Sequence, residues 1–63
     1  MHVYKLTGEG RRWVKVPGQV REEILDHLYE FKTARLEELK ILDKEAVTKL
    51  NKFKREGLVM EVT

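Results

Sequence analysis

The sequence predicts an α+β domain: three helices packed on a small antiparallel sheet formed by an N-terminal hairpin and a C-terminal strand. Three observations lead there. Apolar residues recur at helical spacing in three separate stretches. Short, partly alternating apolar stretches lie near both ends. The chain has 63 residues, enough for a single domain over 1–63. A domain of that size has a thin core, covering about 60% of the surface its unfolded chain exposes.

The N-terminal stretch reads as a hairpin over residues 2–16. Tyr4, Leu6, Val14 and Val16 suggest alternation, and Thr7-Gly8-Glu9-Gly10 supplies a turn with two permissive residues. A competing reading caps a short helix with Thr7 and runs it through Trp13. Two glycines in its first turn argue against that helix.

Pro17-Gly18 punctuates the chain. Val20, Ile24, Leu25, Leu28 and Phe31 then fall on one helical face, giving a first predicted helix over 19–31. Its other face holds Glu22, Glu23, Asp26, His27 and Glu30. Thr33 can cap a short second helix over 34–40, on which Leu36 and Leu39 lie three apart. Ile41-Leu42 reads as an apolar turn plugged into the core. Asp43 is a suitable N-cap for a third helix over 43–56, with a carboxylate at the positive end of the helix dipole. Ala46, Val47, Leu50 and Phe53 share its inward face, and Gly57 is placed to end it in the left-handed conformation. Residues 58–62 follow as a strand. A C-terminal strand needs a partner, and the N-terminal hairpin is the available one.

Composition bounds the function. Without cysteine there is neither a disulfide nor a thiolate metal site, in keeping with a reducing cytoplasm. No apolar run approaches the ~20 residues of a membrane span, and the first residues do not open a signal peptide. Charged residues make up 38% of the chain against one Asn and one Gln, a balance that fits a heat-adapted source. The net charge of +2 is too small to imply a polyanionic partner, but it is polarised. Lys5, Arg11, Arg12 and Lys15 outweigh Glu9 in 1–18. Four carboxylates outweigh Arg21 in 19–31. Five cations outweigh Asp43, Glu45 and Glu56 in 43–56.

The stretch Thr33-Ala34-Arg35-Leu36-Glu37-Glu38-Leu39, Leu42-Asp43, Ala46-Val47-Thr48-Lys49-Leu50 and Phe53-Lys54-Arg55-Glu56-Gly57-Leu58-Val59 resembles the helix-turn-helix half of prokaryotic and archaeal winged-helix proteins. The most telling piece is Leu50-x-x-Phe53-x-x-x-Gly57-Leu58-Val59, which looks like that family's third helix running into the first wing strand. The resemblance covers roughly residues 19–62 and identifies fold better than function. There are departures. Lys40 and Ile41 stand where the family often has a glycine between its second and third helices. The family's pattern also continues beyond the last strand read here, through a loop and a second wing strand. Tyr4-Lys5-Leu6-Thr7-Gly8-Glu9-Gly10 is similar to the Tyr-x-Leu-Thr-x-x-Gly segment that follows that second strand, yet here it precedes the first helix. The N-terminal hairpin would then supply the wing strand in a permuted arrangement.

The resemblance implies a nucleic-acid-binding module, with double-stranded DNA as partner and transcription regulation as role. A helix advances 100° per residue, so the outward centre of the third helix lies near Thr48, Lys52 and Arg55, with Lys44 and Asn51 beside them. Lys and Arg pair with phosphates or guanine edges, Asn with adenine edges, and Thr with phosphates or a thymine methyl. The plainer reading is a solvated helix face, with Glu45 and Glu56 opposing phosphate. Arg11, Arg12 and Lys15 form a second basic group. Trp13 beside them suits either base stacking or partial burial, and a thin core favours burial. A competing function is a protein-interaction or RNA-associated module, with the acidic first helix facing a basic partner. No dimerisation helix is apparent, so a monomer or weak homodimer is expected.

His2 and His27 are too few and too far apart to suggest a metal site. The carboxylates of the first helix read as a solvated face rather than paired catalytic acids. Gly8-Glu9-Gly10 is far from a dinucleotide fingerprint. Neither an enzyme nor a cofactor is expected.

Overall fold

In a computed structural model the structure describes residues 2–18 and 22–62. The order is β1 (Val3–Leu6), α1 (Gly8–Lys15), α2 (Glu23–Phe31), β2 (Thr33–Arg35), α3 (Leu36–Leu42), α4 (Ala46–Arg55) and β3 (Val59–Glu61). The three strands form one antiparallel sheet in the order β2-β1-β3, so the N-terminal strand is the central one. Tyr4 stands opposite Ala34 on one side and Glu61 on the other, and Leu6 stands opposite Val59. The fold is therefore α+β, as expected, but the sheet is assembled differently.

The hairpin expected over 2–16 is not formed. Only its first arm is a strand, and residues 8–15 are α1. The Thr7 hydroxyl accepts the Gly10 N–H at 3.0 Å and donates to the Gly57 carbonyl, so one side chain caps α1 and ties it to the end of α4. Of the two glycines that argued against a helix, Gly10 has a tertiary reason. A Cβ on Gly10 would lie 2.0 Å from the Leu58 carbonyl oxygen, so only glycine lets α1 cross there. The strand missing from the sequence reading is β2. Thr33, expected as a helix cap, and Ala34, expected as the helix start, instead pair with Lys5 and Tyr4 of β1. The second predicted helix shifts accordingly from 34–40 to Leu36–Leu42.

The inner face of the sheet carries Tyr4, Leu6, Ala34 and Val59, all buried. Ile24, Leu25 and Leu28 of α2 pack on it together with Leu39 of α3 and Ala46, Leu50 and Phe53 of α4. Fully covering one such aliphatic side chain contributes ~1.5–3 kcal/mol. Residues 19–21 of the first predicted helix lie outside the described residues, and its remainder is α2 with unchanged C-terminal end. Lys32 then takes a φ of 69° to turn the chain into β2. The end of α4 is as expected. Gly57 has a φ of 77°, its N–H bonds the Lys54 carbonyl, and the Leu58 N–H bonds the Phe53 carbonyl at 2.9 Å, the double closure that stops a helix at glycine.

Four side chains expected inside are not. Ile41 is 87% exposed at the end of α3, so the residues 41–42 do not plug the core. Leu42, Phe31 and Val47 are exposed as well. Ile41 lies on the face of α3 opposite Leu36 and Leu39, whereas Val47 and Leu42 lie about 90° from the buried centres of their helices. No helix among the described residues is long and apolar enough to cross a membrane.

Candidate nucleic-acid interface

The start of α4 is set by Asp43. Its carboxylate accepts the Glu45 N–H at 2.9 Å and its carbonyl accepts the Ala46 N–H at 3.1 Å. Asp43 thus closes the turn from α3, and α4 proper runs from Ala46 to Arg55 rather than over all of 43–56. The second carboxylate oxygen of Asp43 binds Lys49 Nζ, which also lies 3.7 Å from Glu22 at the head of α2. The Lys49 ammonium holds the Asp43 carboxyl below the usual aspartate range, helped by the Glu45 N–H. In return the Asp43 carboxylate raises Lys49. One α4 cation is therefore neutralised by the turn that precedes it.

Lys54 is neutralised at the other end. It lies 3.5 Å from Glu61 of β3, whose second carboxylate oxygen meets His2 Nδ1 at 2.6 Å. The His2 contact comes first among the causes that hold Glu61 below the ordinary glutamate value, with Lys54 adding to it.

What remains on the outward side is the predicted stripe. Thr48, Asn51, Lys52 and Arg55 are all exposed, and Lys44 is exposed in the preceding turn. Among the described residues no ion pair involves Lys44, Lys52 or Arg55. Glu45 and Glu56, which share the outer half of α4, make no ion pair with them either. The α4 cations thus divide into two that are paired with carboxylates of the domain and a set that has no such pair among the described residues.

The second basic group sits on a helix rather than a hairpin. Arg11, Arg12 and Lys15 are exposed on α1. Lys15 Nζ lies 5.9 Å from the centre of the Tyr29 ring, which draws it toward α2. Arg11 and Arg12 have no ion pair among the described residues. Trp13 is 41% exposed, partly covered but outside the buried core. The start of α1 meets the end of α4 through Thr7 and Gly10, with the Glu9 carboxylate beside Gly57. Among the described residues no hydrogen bond or ion pair joins the α1 cations to the α4 stripe, so the structure brings the two helices together without merging their charges.

Val47 is the surface residue that sequence reasoning placed elsewhere. Its apolar character assigned it to the core, but the stripe Ala46, Leu50 and Phe53 is already complete without it. Elsewhere, His27 lies 3.6 Å from Glu38 and stacks at 4.7 Å on Phe31, with its Nε2 buried and lacking a hydrogen bond. Among the described residues no three His, Cys, Asp or Glu side chains gather as a metal site.

Comparison with protein-family models, with curated proteins and with solved structures gave no match to the chain.

Proposed function

We propose that the chain is a winged-helix domain that binds double-stranded DNA through α4, as a small cytoplasmic transcription regulator acting as a monomer or weak homodimer. The observation that carries the reading is the open stripe. Among the described residues Lys44, Lys52 and Arg55 are exposed and make no ion pair, while Lys49 and Lys54 are paired with carboxylates of the domain. A helix with that face fits a ~12 Å major groove, and cations free of internal partners lose no ion pair on meeting phosphate. In this reading Lys44, Lys52 and Arg55 meet phosphates or guanine edges, Asn51 an adenine edge, and Thr48 a phosphate or a methyl group. Arg11, Arg12 and Lys15 of α1 meet flanking phosphates.

The order α2, β2, α3, α4, β3 supports the winged-helix part of the proposal, with β1 as the partner that β3 would otherwise find in a second wing strand. Because β1 and β3 are not consecutive, no hairpin loop joins them. The proposal therefore assigns no phosphate contact to a wing loop.

Duplex binding measured against salt tests the proposal. Each phosphate neutralised contributes about −0.9 to the slope of log affinity on log salt, so three to six contacts give a slope between about −3 and about −5. Lys52→Glu with Arg55→Glu lowers affinity at least tenfold, whereas Glu23→Ala with Glu30→Ala does not. Absence of duplex binding at low salt, or the reverse ranking, defeats the reading.

A second reading is a protein-interaction or RNA-associated module. Apolar side chains left open away from α4 favour it: Phe31 on α2, and Met60 and Val62 at the C-terminal strand. The reverse ranking above, with acidic α2 dominant, is the outcome that selects it.

A further inference from the structure

We propose that Val47 and Asn51 together read an A·T base pair, with Val47 packing on the thymine methyl group. The inference rests on the duplex-binding reading and goes beyond it by naming the base pair.

The buried side of α4 is set by Ala46, Leu50 and Phe53. At 100° per residue, Val47 stands about 90° from the centre of that side. It is 47% exposed. Asn51 follows four residues later, so its side chain lies next to Val47 on the same face. Thr48, three residues before Asn51, adjoins it on the other side, and both Asn51 and Thr48 are exposed. An apolar β-branched side chain, a carboxamide and a hydroxyl therefore share one edge of the helix. Lys44 precedes Val47 by three residues, Arg55 follows Asn51 by four and Lys52 follows Thr48 by four, so these cations border that edge, and among the described residues none of the three has an ion pair.

That neighbourhood narrows the occupant. A single exposed valine is ordinary, but this one borders, through Asn51, a row of cations that select a polyanion. Of the base edges in the major groove, thymine alone offers an apolar group, its C5-methyl. Adenine offers the N6 donor and N7 acceptor that a carboxamide matches. An A·T pair presents both on one edge. A patch built only for phosphate needs no valine, and a patch built for an apolar protein surface would not be bordered by a row of cations.

The test is selection from a random-sequence duplex pool by the whole protein, followed by synthesis of the enriched duplex with thymine or with uracil, which lacks only the methyl. Burying about one methyl predicts roughly fourfold weaker binding of the uracil duplex. Val47→Ala binds both duplexes alike, near the uracil level, and Val47→Ile restores the discrimination. Val47→Ala keeps the fold because Val47 is outside the core and alanine favours helix; its thermal unfolding serves as the control. If duplexes are retained without an enriched sequence, or thymine and uracil duplexes bind equally, the inference is overturned while duplex binding stands. Discrimination that persists in Val47→Ala overturns the assignment to Val47. Retention of no duplex at low salt overturns the functional reading itself, and this inference with it.

Discussion

Gly10 shows how one residue can carry tertiary information that its neighbours hide. In a helix interior a glycine costs about 1 kcal/mol relative to alanine, so local rules favour Gly10→Ala. The Cβ it adds would stand 2.0 Å from the Leu58 carbonyl oxygen and 3.1 Å from Leu6 Cδ2. Backbone does not yield as a flexible side chain does, so α1 must move away, and overpacking of this kind costs about 1–3 kcal/mol. Gly10→Ala is expected to lower the urea midpoint; an unchanged or raised midpoint would mean that α1 does not cross Leu58. Asp43 makes a second prediction at this scale. Its carboxyl lies below the ordinary value in the folded chain because of Lys49 and the Glu45 N–H. A depressed folded value stabilises above the unfolded one, ~3.9 for aspartate, and the stabilisation disappears as pH falls through the folded value. Asp43→Asn should therefore be less stable at neutral pH, with a flatter stability curve between about pH 5 and pH 2. Parallel curves for the two proteins would show that the pair contributes nothing.

At the scale of an element, α4 separates local pattern from packing. Its apolar spacing and its closing glycine are written in nearby residues, and both are found where the pattern puts them. Which apolar residues count as core is decided by what α2, α3 and the sheet can reach. Leu50 is 1% exposed and Val47 is 47% exposed, though the pattern placed both inward. Leu50→Ala is expected to cost about 2–5 kcal/mol. Val47→Ala is expected to change stability by no more than about 0.5 kcal/mol, or to raise it slightly. Equal losses in denaturant unfolding would place Val47 in the core and remove it from the surface. The basic face of α4 was legible as a set of residues. The pairing of Lys54 with Glu61 was not, because Glu61 lies on β3; Lys49 has its nearer partner, Asp43, six residues before it and a second, Glu22, at the head of α2.

For the whole molecule, the central position of β1 dominates. β2 and β3 each pair with β1 and not with each other, and Tyr4 and Leu6 carry the sheet into the core. Deleting residues 2–6 leaves both remaining strands without a partner and removes two core side chains. Loss of the cooperative thermal transition is expected, measured by circular dichroism. A truncated chain that still unfolds in one sharp step would refute the sheet order. The same closure brings His2 onto Glu61, 59 residues away in sequence, in a contact no local window contains.

By itself the sequence determined the α+β class, the courses of α2 and α4, the glycine stop at Gly57 and the outward residues Thr48, Asn51, Lys52 and Arg55. These follow from hydrogen bonds and side-chain spacing within a few residues. Tertiary structure alone decided that residues 8–15 form a helix across Leu58, that Thr33–Arg35 is a strand, that Val47 and Ile41 face solvent, and that Lys54 meets Glu61 of β3. The helix and the strand depend on partners distant in sequence, whose contacts outweigh local preferences of about 1 kcal/mol, and the exposure of Val47 and Ile41 follows from what the other elements leave uncovered.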